Sequence, residues 1–329
     1  MIGRGMSKIN FSGVSMRWRI AIAFAAIYLI WGSTYLAIRF AIETIPPYLM
    51  GGVRFLIAGG ALYAVLRWRG VKAPSRVHWR AALIVGGLLL WGGNGGVMLA
   101  EQYVPSSLAA LIIAMVPLWM VLLNWRWGDR TRPHAGTMLG VALGLVGIVL
   151  IAAPGQSAAE GAVNPIGLMI LVGASLSWSI GSLYSRQAAL PSNALLSTSM
   201  EMLAGGGLML IAGLLLGQGA QIHFDQISVR SLAALGYLVI FGSLIGFTAY
   251  VWLLKVSTPA RVSTYAFVNP VVAVFLGTAF AGEELSVRVL TAAAIIIGAV
   301  MLITFNQTAP KREGVTLPPR RQYEPVTEE

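Results

Sequence analysis

The chain has 329 residues, 57% of them hydrophobic and only 11% charged, against the roughly 25% of a soluble domain. At a mean hydropathy of +0.76 it carries more apolar surface than a water-soluble core of this size hides, so the bilayer is its natural solvent. The absence of cysteine excludes disulfides, thiol nucleophiles, Cys-ligated zinc and iron–sulfur clusters, and the formal charge of +11 has to be accounted for.

Ten apolar segments follow one another: 20–42, 47–66, 81–100, 106–125, 136–153, 165–185, 196–216, 231–254, 260–280 and 287–305. Each approaches the ~20 apolar residues of a spanning helix, so the fold class expected is an all-α polytopic membrane protein with ten transmembrane helices. The first segment is too long for the core of a signal peptide, and more spans follow it. Residues 1–19 read as a basic N-tail, 154–164 as an external linker, and 306–329, with Pro310, Pro318, Pro319 and Pro325, as a disordered C-tail. His78, His134 and His223 all fall in polar loops, so no metal centre and no cofactor are expected.

The charges sort by side. With the N-terminus placed in the cytoplasm, 19 of the 23 Lys and Arg fall in the tails and loops of that side. Only Arg230 and Arg288 fall on the other, and Arg39 and Arg54 lie inside spans. Glu43, Glu101, Glu160, Asp225, Glu283 and Glu284 gather at the outer rim. The basic excess is therefore a record of orientation, with both termini cytoplasmic in a multi-pass cell (inner) membrane protein, and nucleic acid drops out as a partner.

The halves resemble each other. A shift of 147 lays "YLIWGSTYLAIR" (28–39) over "SLSWSIGSLYSR" (175–186), and "RFLIAGG" (54–60) over "EMLAGGG" (201–207). A shift of 153 lays "SSLAALIIAMVP" (106–117) over "PARVSTYAFVNP" (259–270). The repeats are 20–153 and 165–305. Five spans is an odd number, so the second repeat is expected upside down relative to the first, a recurrent transporter pattern with the substrate site between the halves.

The segments "WGSTYLAIR" (31–39), "GVRF" (52–55), "GNGGVMLAEQYVPSSLAALI" (93–112), "SWSIGSLY" (177–184), "EMLAGG" (201–206), "FGSLIGFTAY" (241–250), "STYAFVNPVVAVFLGT" (263–278) and "GEEL" (282–285), in that order over residues 20–305, resemble the EamA family of the drug/metabolite transporter (DMT) superfamily. The likeness is greatest to its inner-membrane drug/metabolite exporters. It implies ten helices, cytoplasmic termini and export of small organic metabolites. It fixes neither substrate nor coupling ion, and importers share the fold.

Trp31, Thr34 and Tyr35 share a helical face by i, i+3, i+4 spacing. Such a face is costly against lipid, so it walls a substrate path or packs on another helix through Gly32 and Ser33. Trp178 and Ser182, with Gly181, are the repeat counterparts. Asn94 stands between Gly92-Gly93 and Gly95-Gly96 and reads either as a polar site in a loosened helix or as an amide bonded to a neighbour. Glu101, seven residues on, is a gate or, the preferred reading, a carboxylate hydrated at the end of its span. Pro117 and Pro270 each remove a backbone donor mid-span, which predicts symmetric kinks. Tyr265 and Asn269 share a face before Pro270 and suit a polar substrate group; Tyr250 and Thr248 are placed similarly.

Arg54 and Glu201 are the deepest charges, each costing ~2.5–3.5 kcal/mol at a helix centre. Glu201 reads as a protonatable coupling site or a structural carboxylate, and Arg54 as an anchor for an anionic substrate or a structurally paired cation; the structural reading is preferred for both. Gly136, Gly140 and Gly144 form a G-x-x-x-G-x-x-x-G face that serves a contact within the chain or a dimer seam, so monomer and dimer stay open.

Together these features point to a secondary transporter for small organic metabolites or drugs, amino acids or their derivatives among them. No G-x-x-x-x-G-K-[ST] motif is present, and a proton is the default coupling ion. A membrane enzyme needs clustered acids, a buried histidine or a nucleophile with its base, and the one deep acid is Glu201, so no catalytic residue is assigned. A channel or scaffold is the third class.

Overall fold

The computed structural model describes residues 15–127, 133–152, 163–257, 262, 264–284 and 286–306. Most of the expected N-tail, linker and C-tail, with Arg130, Arg132 and Glu160, lies outside them. Among the described residues the regular structure is entirely helical. Eight helical runs are long and apolar enough to cross a membrane: Met16–Ala41, Pro47–Trp68, Arg76–Ala100, Ser106–Trp127, Pro165–Ser185, Ala194–Leu215, Val229–Tyr250 and Val287–Asn306. Two shorter apolar helices, Ala135–Leu150 and Val268–Ala281, fall where the fifth and ninth segments were expected.

The helices are α1 (Met16–Ala41), α2 (Pro47–Trp68), α3 (Arg76–Gly86), α4 (Gly95–Ala100), α5 (Ser106–Ile113), α6 (Val116–Trp127), α7 (Ala135–Ala152), α8 (Pro165–Ser185), α9 (Ala194–Leu215), α10 (Val229–Tyr237), α11 (Gly246–Val256), α12 (Tyr265–Ala281) and α13 (Val287–Asn306). Their ends follow local chemistry. Pro47 and Pro165 open α2 and α8, where a missing N–H costs nothing. Asn193 caps α9 by accepting from Leu195 N–H at 3.1 Å, and Ser228 caps α10 through Ser231 N–H at 3.0 Å. Gly282, at φ 65°, ends α12 in the left-handed region and turns the chain so that Glu283 N–H reaches Gly277 O at 3.2 Å.

Two π-helical stretches occur, Gly87–Asn94 between α3 and α4 and Leu238–Ile245 between α10 and α11, 151 residues apart. Each widens a helix at the same place in its repeat. The proline sites differ. A two-residue turn at Ala114–Met115 breaks the helix just before Pro117, whereas α12 runs on through Pro270.

The packing exchanges the halves. The first helix of each repeat packs chiefly on the third and fourth spans of the other: α1 on α10, α11 and α12 (with a smaller contact to α5 of its own repeat), and α8 on α3, the first π-helical stretch, α4, α5 and α6. Equivalent helices α2 and α9 cross through glycines, where a Cβ on Gly52 lies 3.0 Å from Leu210 N and one on Gly206 3.1 Å from Gly52 O. The Gly136–Gly140–Gly144 face is spent inside the chain: a Cβ on Gly140 lies 2.8 Å from Ile303 Cγ1 of α13. Large side chains such as Leu29, Met169, Phe275 and Phe305 point outward, as lipid-facing positions require.

Candidate functional site

Between the halves lies a cavity of about 90 Å³. The first repeat supplies Trp31, Thr34, Tyr35 and Ile38 from α1, Arg54 from α2, and Gly93, Asn94 and Val97 around the π-helical end. The second supplies Ala174 and Trp178 of α8, Phe247 of α11, and Tyr265, Ala266, Asn269 and Pro270 of α12. The break in the fourth span adds Ala110, Ile113, Ala114 and Val116.

One end is an aromatic box. The Trp31 ring lies 5.4 Å from Phe247, 5.0 Å from Tyr250 and 5.2 Å from Tyr265, the last at a near-perpendicular 89°. Edge-to-face contacts of this kind suit the ring quadrupoles. The Trp31 indole N–H donates to Gly242 O at 3.3 Å, inside the second π-helical stretch. Gly246 makes that approach possible, because a Cβ there would lie 2.4 Å from the indole nitrogen.

The four glycines around Asn94 have a definite use. A Cβ on Gly92 would strike the Ser177 hydroxyl (2.2 Å), one on Gly93 the Trp178 ring (3.0 Å), one on Gly95 Tyr48 (2.8 Å) and one on Gly96 Ala174 (2.7 Å). They let α8 and Tyr48 close in on this span while Asn94 faces the cavity. Asn269, oriented so that its amide nitrogen has acceptors, donates to Tyr265 O at 3.3 Å and Tyr28 O at 3.2 Å. Thr34 donates to Trp31 O at 2.6 Å.

Arg54 is buried at the wall, with Nε donating to Ser243 Oγ at 2.9 Å. The structural partner expected for it is not found among the described residues, where the one ion pair is Arg230–Glu43 at 3.5 Å.

The remaining predicted positions stand back. Tyr250 touches Trp31 and Tyr265 from behind the wall. Ser182 bonds Trp178 O of its own helix at 2.7 Å. Glu201 accepts from Ser197 at 2.8 Å, within α9. Pro117 adjoins the wall through Val116. Glu101 departs from the hydrated carboxylate expected. It is 0% exposed, neither carboxylate oxygen has a hydrogen-bond partner among the described residues, and Arg39 donates to its backbone O at 2.6 Å. The reason is the turn after α4, which folds back through Val104 N–H to Ala100 O (3.0 Å) and buries Val104. Burial, then the neighbouring Glu283 carboxylate, hold the Glu101 carboxyl well above the usual range, against the opposing pull of Arg39.

Phe247 and Ser243 went unremarked in the sequence. Phe247 lies three residues before Tyr250 and shares its face, a signal that was available; Ser243 has no comparable mark.

The EamA-like transporter family profile matches residues 18–153 and 165–305, one match in each half of the cavity. The chain belongs to this family. As an EamA-like transporter it is 40% identical over 286 residues to the Escherichia coli (strain K12) protein named "Uncharacterized inner membrane transporter YedA", covering 87% of this chain and 90% of that one. It is 27% identical over 289 residues to "Protein PecM" of Dickeya dadantii (87% and 92% covered). It is 23% identical over 297 residues to "Uncharacterized transporter YvbV" of Bacillus subtilis (90% and 95%). A protein crystal structure superposes with a TM-score of 0.61 at 22% identity, over 88% of this chain and 98% of that one, and so shares the fold.

Proposed function

We propose that this EamA-like transporter exports a small, largely apolar organic molecule across the inner membrane by alternating access. The observation that carries this reading is the composition of the cavity wall. Both repeats contribute to one chamber, aromatic on its broad surfaces and dotted with Thr34, Asn94 and Asn269. A shared chamber between two similar halves is what two exchanging states need, each open to one side.

In this reading the chain has ten spans, the two shorter helices included, arranged as two inverted five-helix repeats with both termini cytoplasmic. The side-sorted basic residues support that orientation. The likeness to drug/metabolite exporters supports export over import. A proton is the proposed coupling ion. Glu101 takes precedence over Glu201 as its carrier, because Glu201 already holds the Ser197 hydroxyl while the Glu101 oxygens are unpartnered.

Counterflow in proteoliposomes tests this, with labelled amino acids, aromatic metabolites and cationic dyes as the panel. Saturable, trans-stimulated flux is the expected result. Flux through Tyr265→Ala and Asn269→Ala equal to the parent's discards the cavity assignment, and flux indifferent to an imposed pH gradient discards proton coupling.

A further inference from the structure

Arg54 is 2% exposed, and its chain partners do not account for its charge. Of the five N–H donors of a guanidinium, the one on Nε goes to the neutral hydroxyl of Ser243. The guanidinium carbon stands 4.6 Å from the Phe55 ring centroid, a contact that does not cancel the charge. Nη1 is buried with no hydrogen-bond partner among the described residues. Nη2 lies against the backbone of the second π-helical stretch, where a Cβ on Gly242 would be 3.1 Å away. Among the described residues no carboxylate reaches it. Yet the side chain lines the cavity.

A buried cation without a counter-charge is expensive, and the side chain here lines the chamber between the repeats. We propose that the transported molecule is an organic monoanion whose carboxylate docks on Arg54 and whose apolar body lies against Trp31, Trp178 and Tyr265. One cation at the wall matches one negative charge, and the neutral pair then crosses with the moving halves. The guanidinium fork suits a carboxylate, since two of its N–H groups reach two oxygens at once. This rests on the transporter reading and specifies its substrate class.

Three probes on one phenylpropyl frame decide it: 3-phenylpropionate, 3-phenylpropionamide and 3-phenylpropylamine, of which the first two match in shape and the third reverses the charge. Binding is read from tryptophan fluorescence of the full chain in nanodiscs, since Trp31 and Trp178 both line the chamber. The anion is expected to bind about tenfold or more tighter than the amide, with the amine weakest. In Arg54→Gln that preference disappears, while Arg54→Lys keeps part of it. Without ligand, Arg54→Gln is expected to melt at or above the parent, because the unpaired cation is gone; an arginine that merely holds the fold together gives a lower melting temperature. The idea is overturned if the parent binds the amide or the amine as well as the anion, or binds none of the three. It is equally overturned if Arg54→Gln retains the anion preference or melts well below the parent. Counterflow of neutral or cationic solutes alongside any of those results leaves the transporter reading standing, whereas absence of flux for every solute removes that reading itself.

Discussion

The carboxylate of Glu283 closes on the first turn of α5, accepting the Ser106 N–H at 2.8 Å with one oxygen. The same oxygen takes the Ser106 hydroxyl at 2.7 Å, and the other takes the Ser107 N–H at 3.0 Å. The first N–H groups of a helix lack partners of their own and favour a negative charge, so this carboxylate serves as a cap supplied from 177 residues away. It ties one repeat to the other at the end of the bundle that also holds Arg230–Glu43 and the Ser231 hydroxyl on Phe40 O (2.8 Å).

Removing that cap frees this end. Hydrogen bonds to a charged group contribute about 1.5–3 kcal/mol each, so Glu283→Ala is expected to destabilise by about 2 kcal/mol or more and Glu283→Gln by less. With no native cysteine, Asn94→Cys can report on access to the cavity. Labelling of Asn94→Cys by an impermeant thiol reagent from the outer face should accelerate several-fold when Glu283→Ala is added. Unchanged labelling would show that the tie does not control access.

Glu101 predicts a pH dependence. Glu283 beyond α12 and Arg39 and Tyr35 on α1 are the titratable groups coupled to it. A carboxyl whose folded value is raised favours the fold while protonated. Its contribution is complete below the ordinary value of 4.5 and is lost as pH climbs through the folded value. The melting temperature of the parent should therefore fall as pH rises above about 4.5, and Glu101→Gln, which copies the protonated form, should flatten that slope. Equal slopes in the two proteins would remove Glu101 as the group responsible.

The contrast between Arg54, Glu101 and Trp31 shows what a sequence discloses here. The i, i+3, i+4 face of Trp31, Thr34 and Tyr35 is a property of one helix, and in the structure all three residues line the cavity. Span ends are equally local, since prolines, Asn and Ser caps mark them. Arg54 was visible as a charge in an apolar run, but its lack of a counter-charge among the described residues depends on which helices surround it. Glu101 was misread for the same reason: its position at a span's end is local, while its burial comes from a turn folding back and from groups on α1 and beyond α12. The exchange of first helices between repeats leaves no trace in either repeat alone.

The aromatic box makes Trp31 the position where substitution separates packing from binding. Its ring meets three others at 5.0–5.4 Å, and each such pair contributes about 0.5–1.5 kcal/mol beyond area burial. Trp31→Phe keeps a ring but loses the indole N–H to Gly242, and is expected to retain most stability with weakened substrate affinity. Trp31→Ala leaves a hole among Phe247, Tyr250 and Tyr265 and should cost about 3 kcal/mol or more in a melt. Saturable flux with an unchanged half-saturation constant in Trp31→Phe would mean that the indole does not meet substrate.

Two glycines of similar sequence surroundings should respond in opposite directions. Gly86 lies where α3 crosses α9, and a Cβ there would stand 2.4 Å from the Glu201 carbonyl oxygen. The facing Gly205 is equally closed in, 2.7 Å from Gly86 O. Backbone cannot yield as a flexible side chain can, so Gly86→Ala forces the helices apart, at a cost of about 1–3 kcal/mol from overpacking. Gly60, inside α2, meets nothing within 4 Å. There an alanine adds helix propensity without a clash and should stabilise by about 0.5–1 kcal/mol. Melting temperatures in one detergent, with the folded yield of each variant, give the comparison. A Gly86→Ala protein as stable as Gly60→Ala would mean that α3 and α9 do not cross this closely.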